Sequence, residues 1–154
     1  MYNLPLVRTS VTVAVSLAEI LNAATQVIIV HGIELSQSTE IKEAEEEMIQ
    51  LQWRSGMTAA GTGGNAGVVA IPQLILDAAS GCTIRSFDTV KPSGGTIVTH
   101  KTWDWNLRAS PFIWMPPPEQ RLVIAPSMRA ALELTAAPTD ATTFGGQIII
   151  EAIG

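Results

Sequence analysis

One cysteine, Cys82, stands in a chain of 154 residues. A single thiol cannot close an internal disulfide, so a covalently stapled fold is excluded, and Cys82 reads as a small core or loop residue. The compartment this implies is a cell interior, or that of a particle assembled inside one. Charge is scarce too: Asp, Glu, Lys and Arg together make 15%, against about 25% in ordinary globular chains. With 47% hydrophobic residues and a mean hydropathy of +0.28, a monomer would struggle to cover its surface. Burial against copies of itself or against a partner is the expected remedy. No apolar run approaches the roughly 18 residues of a membrane span, and no basic stretch precedes a hydrophobic one as in a signal peptide. No membrane partner is expected. The bases form no patch that would track phosphates, so no nucleic acid is expected either.

The acid excess sits in one segment. Net charge is −5, and six acids and one lysine lie between Glu34 and Glu47, while acids and bases outside that window balance at eight each. An EF-hand loop needs alternating oxygen ligands and a central glycine, both missing here. The stretch Gln37 to Glu47 therefore reads as a solvated acidic connection, with Ser38 or Thr39 placed to cap a short helix.

What the chain has in quantity is a period of two. Leu6 to Val15, Gln26 to Ser36, Met48 to Arg54, Gly81 to Val90, Thr96 to Leu107, Arg121 to Ala125, Met128 to Thr135 and Gln147 to Ile153 read as strands, separated by Gly, Pro, Asn and Asp turns. Ser16 to Asn22 is ambiguous between a helical turn and an edge strand. In Gln26 to Ser36, the alternation places Val27, Ile29, His31, Ile33 and Leu35 on one face. Val68 to Ala79 is apolar, but Pro72 argues against a central strand. The last strand is apolar on both faces, which predicts a central position. A strand of this kind buries one face, so two sheets must stack. The expected fold is all-β, an antiparallel β-sandwich of jelly-roll type with about eight or nine strands and long loops. An immunoglobulin-like sandwich is the alternative. Residues 1–154 form a single domain, with 1–5 a candidate N-terminal arm and 55–67 a flexible Gly-rich loop.

Catalytic patterns are weak. The glycines of 55–67 do not form G-x-G-x-x-G opening a helix, and no Lys-Ser/Thr follows for a P-loop. His100 and Asp104 on one strand stand about 13 Å apart, too far for a hydrogen bond, and no G-x-S-x-G is present. His31 and His100 are too few for a cupin-type metal site, and no second ligand stands at the right spacing from His31, which reads as a core or interface residue. No enzyme, cofactor or metal is expected.

The dominant feature is Trp103 to Ala125, with three of the four tryptophans and the triple proline Pro116-Pro117-Pro118. It reads as a strand carrying Trp103 and Trp105 on one side, a bend near Pro111, and a second aromatic strand with Phe112 and Trp114 on one side. Prolines set an extended connection at little entropic cost and leave no N–H to pair. The stretch is read as a corner between strands that offers an aromatic edge to a neighbour. The expected interface residues are Trp105, Phe112, Trp114, Pro116, Pro117 and Pro118. A carbohydrate-binding alternative uses Trp105 as a stacking platform beside Asp104 and Asn106.

Three stretches carry a resemblance: Ile33-Glu34-Leu35-Ser36-Gln37-Ser38 with the acids to Glu47, Trp114-Met115-Pro116-Pro117-Pro118-Glu119 with Leu122 to Pro126, and Gly146 to Gly154. Across about half the chain the sequence resembles small jelly-roll head-decoration, or cement, proteins of tailed bacteriophages. The resemblance implies a structural virion protein assembled in a host cytoplasm. It would sit as a homo-oligomer, a trimer, on the outer surface of a shell of major capsid protein. Similar sandwiches occur in tail and baseplate proteins and in receptor-binding modules, which are the alternative.

Overall fold

The computed structural model describes residues 1–38 and 47–154. The acidic connection expected between Gln37 and Glu47 lies largely outside them. Among the described residues twelve strands follow one another: β1 (Tyr2–Val11), β2 (Ser16–Leu21), β3 (Val27–Gln37), β4 (Met48–Ser55), β5 (Asn65–Val68), β6 (Ile71–Pro72), β7 (Thr83–Asp88), β8 (Val98–Asn106), β9 (Phe112–Trp114), β10 (Leu122–Ile124), β11 (Arg129–Leu134) and β12 (Thr142–Ile153). They form two antiparallel sheets. The first runs β10-β3-β12-β1-β6 with β9 also on β3, and the second runs β5-β7-β2-β11-β4-β8.

The connectivity is nested. β1 pairs with β12, β2 with β11, β3 with β10 and β4 with β8. A long antiparallel ribbon folded over on itself makes these pairs, which is the jelly-roll arrangement rather than the immunoglobulin-like one. The β4–β8 connection carries an insertion whose β5 and β7 extend the second sheet and whose β6 extends the first. The core between the sheets holds Leu4, Leu17, Ile20, Ile28, Val30, Ile33, Leu51, Trp53, Ile124, Leu132, Phe144, Ile148 and Ile150, all nearly solvent-free.

Several local expectations are corrected. Residues 1–5 are no arm: Tyr2, Leu4 and Leu6 are buried, Tyr2 to Leu6 pair with Ile150 to Gly146, and the Tyr2 hydroxyl donates to Ala78 O at 2.9 Å. Pro5 is tolerated because only β12 borders β1 at that level, β6 reaching no further than Asn3. β2 is neither helical nor an edge; it lies between β7 and β11. β12 begins at Thr142, before the expected start at Gln147, and lies centrally between β1 and β3 as its two apolar faces predict.

β3 departs from simple alternation. Gly32 pairs with Ile149 and Val30 with Ile150, so His31 is an extra residue, a β-bulge. Parity switches there. Ile28 and Val30 point to the core before the bulge, Ile33 and Leu35 after it. His31 therefore does not share a face with Ile33 and Leu35; it meets Glu151, Nε2 to Oε2 at 2.8 Å. His100 is likewise skipped in the pairing of β8 with β4, since Lys101 faces Trp53 and Thr99 faces Arg54.

The 55–67 segment is tied down rather than loose. Backbone bonds join Thr58 and Ala59 to Ser93, and Thr62 to Val90. This flap lies on the outer face of the second sheet, which explains why β2 and β11 are buried on both sides. Beneath it is a charged layer. Arg129 bonds Glu19, Arg54 bonds Glu133 at 2.8 Å, and Arg85 bonds Asp88 at 2.7 and 2.9 Å. The flap's backbone joins this layer, Gly61 N–H donating to Glu19 Oε2 at 2.8 Å and Gly64 N–H to Asp88 Oδ1 at 3.1 Å. Each carboxylate is thus paired, which keeps its burial from being prohibitive. Burial pushes the Lys91 ammonium below its ordinary pKa against the opposing pull of Glu133.

The flap approaches the sheet too closely for side chains. A Cβ on Gly64 would lie 2.3 Å from Ser86 O and 2.6 Å from Asp88 N. Gly64→Ala is expected to lower stability by about 1–3 kcal/mol. The check is the urea midpoint at constant m-value; an unchanged midpoint would show that the flap does not need this contact.

Candidate functional site

β8 lies at one edge of the second sheet and β9 at one edge of the first, and the 107–111 turn carries the chain across between them. Alternation on both strands aims their aromatics inward. Trp103 meets Phe112 at a centroid distance of 5.7 Å and Trp114 at 5.3 Å, both edge-on. Trp105 meets Phe112 at 6.1 Å and Phe144 at 6.0 Å. Edge-on pairs contribute about 0.5–1.5 kcal/mol each beyond burial. The Trp105 indole N–H donates to Ser110 O at 2.8 Å, which pins the turn. These rings seal one side of the sandwich.

The six residues expected at an interface divide. Trp105 is 5% exposed and belongs to the core, so its interface role and its use as a stacking platform are withdrawn. Phe112, Trp114 and Pro116 are half-buried, and Pro117 and Pro118 are exposed. The aromatic stretch packs its tryptophans between its own two sheets, Trp103 and Trp105 from the second and Trp114 from the first. The crossover between sheets comes before the prolines, not at them.

The prolines do something different. β9 pairs with Leu35 to Ile33 and β10 with Val30 to Ile28, on the same edge of β3. One edge strand is therefore interrupted, and Met115 to Arg121 loops out opposite His31 and Gly32. Pro118–Gln120 form a single 3-10 turn within the excursion. Met115 folds over Gly32, where a Cβ would meet its sulfur at 2.3 Å. An edge broken by prolines into three-residue pieces is a poor template for strand addition, so contact there must go through side chains. Ile113, Met115 and Val123 point outward, 65%, 49% and 59% exposed. The alternation that turned Phe112 and Trp114 inward was the signal for Ile113 and Met115; attention to the rings missed it.

The opposite edge of the same sheet is also apolar. β6 is only two residues, Ile71 and Pro72, and the chain then turns through Asp77 N–H to Leu74 O. Gln73 N–H donates to Met1 O at 3.0 Å and holds this turn against β1. Val69, Ile71, Leu74, Ile75 and Leu76 all face outward, the last two 88% exposed. So dense an aliphatic cluster on a surface is a candidate contact site. Sequence reasoning noted the apolar run and its proline but not its exposure, because the run has no alternation to assign a face.

Histidine chemistry is modest. His100 Nε2 lies 2.7 Å from Ser55 Oγ on the exposed face, a pair made by the bulge. Asp104 Oδ1 accepts from Gln50 at 3.2 Å instead of orienting His100. Among the described residues, no three or more His, Cys, Asp and Glu side chains gather as a metal site. Burial raises the Cys82 thiol pKa above its ordinary value, against a weaker opposing effect from Ser80, whose Oγ lies 3.0 Å from the sulfur. No family model, curated protein or solved structure matches the chain.

Trp105→Ala is expected to cost about 3–5 kcal/mol, the range for emptying a buried aromatic position, and Trp114→Ala measurably less. Chemical denaturation of both variants decides it, and equal losses would contradict the division into core and seam. A raised thiol pKa keeps the reactive thiolate scarce, and its folded form favours the protonated state, so stability from this group is lost as pH rises past the ordinary thiol range. Native Cys82 should alkylate about tenfold slower at mildly alkaline pH than in denaturant. Equal rates would mean that the thiol is not shielded.

Proposed function

We propose that the chain is a structural virion protein: a capsid decoration, or cement, protein that joins copies of itself into a trimer and binds the outer surface of the major capsid protein shell. The supporting observation is that the two ends of the first sheet carry different exposed apolar surfaces, Ile113, Met115 and Val123 at one edge and Val69 to Leu76 at the other. Unlike patches at opposite edges do not suit a two-fold contact, in which one patch meets itself. They suit head-to-tail association, which closes into a ring when the rotation allows. The trimeric order and the capsid partner come from the resemblance in the Ile33–Ser38, Trp114–Glu119 and C-terminal stretches. Low charge supports the same reading, since a surface poor in charge is best served by extensive contacts.

Light scattering should give a mass three times the 16.4 kDa of one chain. Ile113→Glu and Leu76→Glu should each reduce it to monomer, because either places a charge in an apolar contact and weakens it more than about tenfold. Mixing the two variants gives the sharper reading: each keeps one intact edge, so a one-to-one dimer should form. A wild-type monomer, or two variants that stay apart on mixing, would sink the head-to-tail assembly. Co-sedimentation of the wild-type chain with capsids supports the decoration role, whereas co-sedimentation with isolated tails alone would overturn it.

A further inference from the structure

A second surface has a different chemistry. Where β1 ends and the chain crosses to β2, a cleft of 450 Å³ opens between that crossing, the flap at Gly63–Asn65 and the end of β7. Its size falls in the range of small-molecule sites, about 300–1,000 Å³. None of its lining residues is ionisable. The apolar part includes Val7, Val11 and Phe87, and Ser10, Thr12 and Thr89 are among the polar residues that line it.

The cleft has a strained wall. Phe87 has φ +55°, a left-handed conformation that a bulky residue rarely adopts. The consequence is visible in β7, where alternation fails and Ser86, Phe87 and Asp88 are all buried. Ser86 and Phe87 line the cleft, while Asp88 receives Arg85 and the Gly64 N–H. The charged layer under the flap therefore holds in place the residue that shapes the cleft. Such a conformation persists only where its surroundings over-determine it.

We propose that this cleft binds a neutral saccharide of one or two rings. A charged ligand would give up its hydration and find no opposite charge among the lining residues. A purely apolar ligand would strip water from the hydroxyls of Ser10, Thr12 and Thr89 without replacing its hydrogen bonds. A sugar ring matches both halves: its C–H face packs on the valines and its hydroxyls exchange hydrogen bonds with the serine and threonines. The site is separate from Trp105, which is buried, and it lies further along β1 than β6, so its occupancy and the edge contacts are measured independently.

The test titrates the full-length chain with glucose, galactose, N-acetylglucosamine, maltose and lactose, alongside sialic acid and glucose 6-phosphate, and follows backbone amide shifts by NMR. At least one neutral sugar should shift amides at 10–13, 63–65 and 86–89 in a saturable way, and the charged sugars should not. Thr12→Val with Thr89→Val keeps the volume but removes two hydroxyls, and should weaken binding at least tenfold. Val13→Trp, at an exposed position on the rim, should block it. No saturable shift with any neutral sugar, shifts confined to other residues, equal binding of the charged sugars, or full binding by the double valine variant would each overturn the proposal. Amide spectra of the unliganded variants establish that they remain folded.

Discussion

The structure depends on one strand pairing that spans almost the whole chain: β12 lies between β1 and β3. Until the last residues are in place, the first sheet has no centre. The other pairs, β2 with β11 and β4 with β8, are nested inside this one, so the roll closes from ends far apart in sequence. Contacts of such separation carry a large loop-closure cost before they return any stability, which makes the fold slow to form. It is also decisive in register, because a slip of one residue along β12 would turn Ile148 and Ile150 out of the core.

Closing the roll leaves sheet edges, and each is handled differently. At the β8–β9 side, four aromatic rings fill the gap between the sheets and the prolines break the strand beyond them. Backbone pairing with another chain is thereby discouraged while aliphatic side chains stay available. At the β6 side, a two-residue strand covers β1 only at Tyr2 and Asn3, and beyond it Pro5 and the bulge between Leu6 and Thr9 interrupt the ladder that β1 would offer. Both edges avoid open-ended strand addition, and both present apolar side chains. Such edges favour side-chain packing over unlimited sheet growth as the mode of any contact.

The outer face of the second sheet shows a different solution. An antiparallel sheet with one wet face usually alternates apolar and polar residues, and here Glu19, Glu133, Arg54 and Arg129 hold the polar positions. The flap then covers them. Buried ion pairs are weak sources of net stability, but Glu19 also accepts the Gly61 N–H and Asp88 the Gly64 N–H, so these two carboxylates locate the flap. Through Asp88 the same layer supports the left-handed Phe87. Three of the chain's scarce carboxylates, Glu19, Asp88 and Glu133, are thus buried and used to hold backbone and neighbouring arginines in place.

The sequence by itself determined the all-β class, the alternating faces of β4, of β11 and of β8 beyond its bulge, and the central place of β12, because a two-residue period with β-branched side chains has few other physical outcomes. It also implied a protein short of surface charge. Other features only the tertiary structure decided. The bulges at His31 and His100 change parity without any mark in composition, since a bulge is a property of two paired strands. By sequence Trp105 is expected at an interface and Ile113 is not, and the structure reverses them. Which one faces water depends on the opposite sheet, where Phe144 receives Trp105 and nothing covers Ile113. The exposed aliphatic cluster of 69–76 and the hydroxyl-lined cleft were not legible for the same reason. Local pattern sets which side chains share a face, but only the packing of distant strands sets which face is left open.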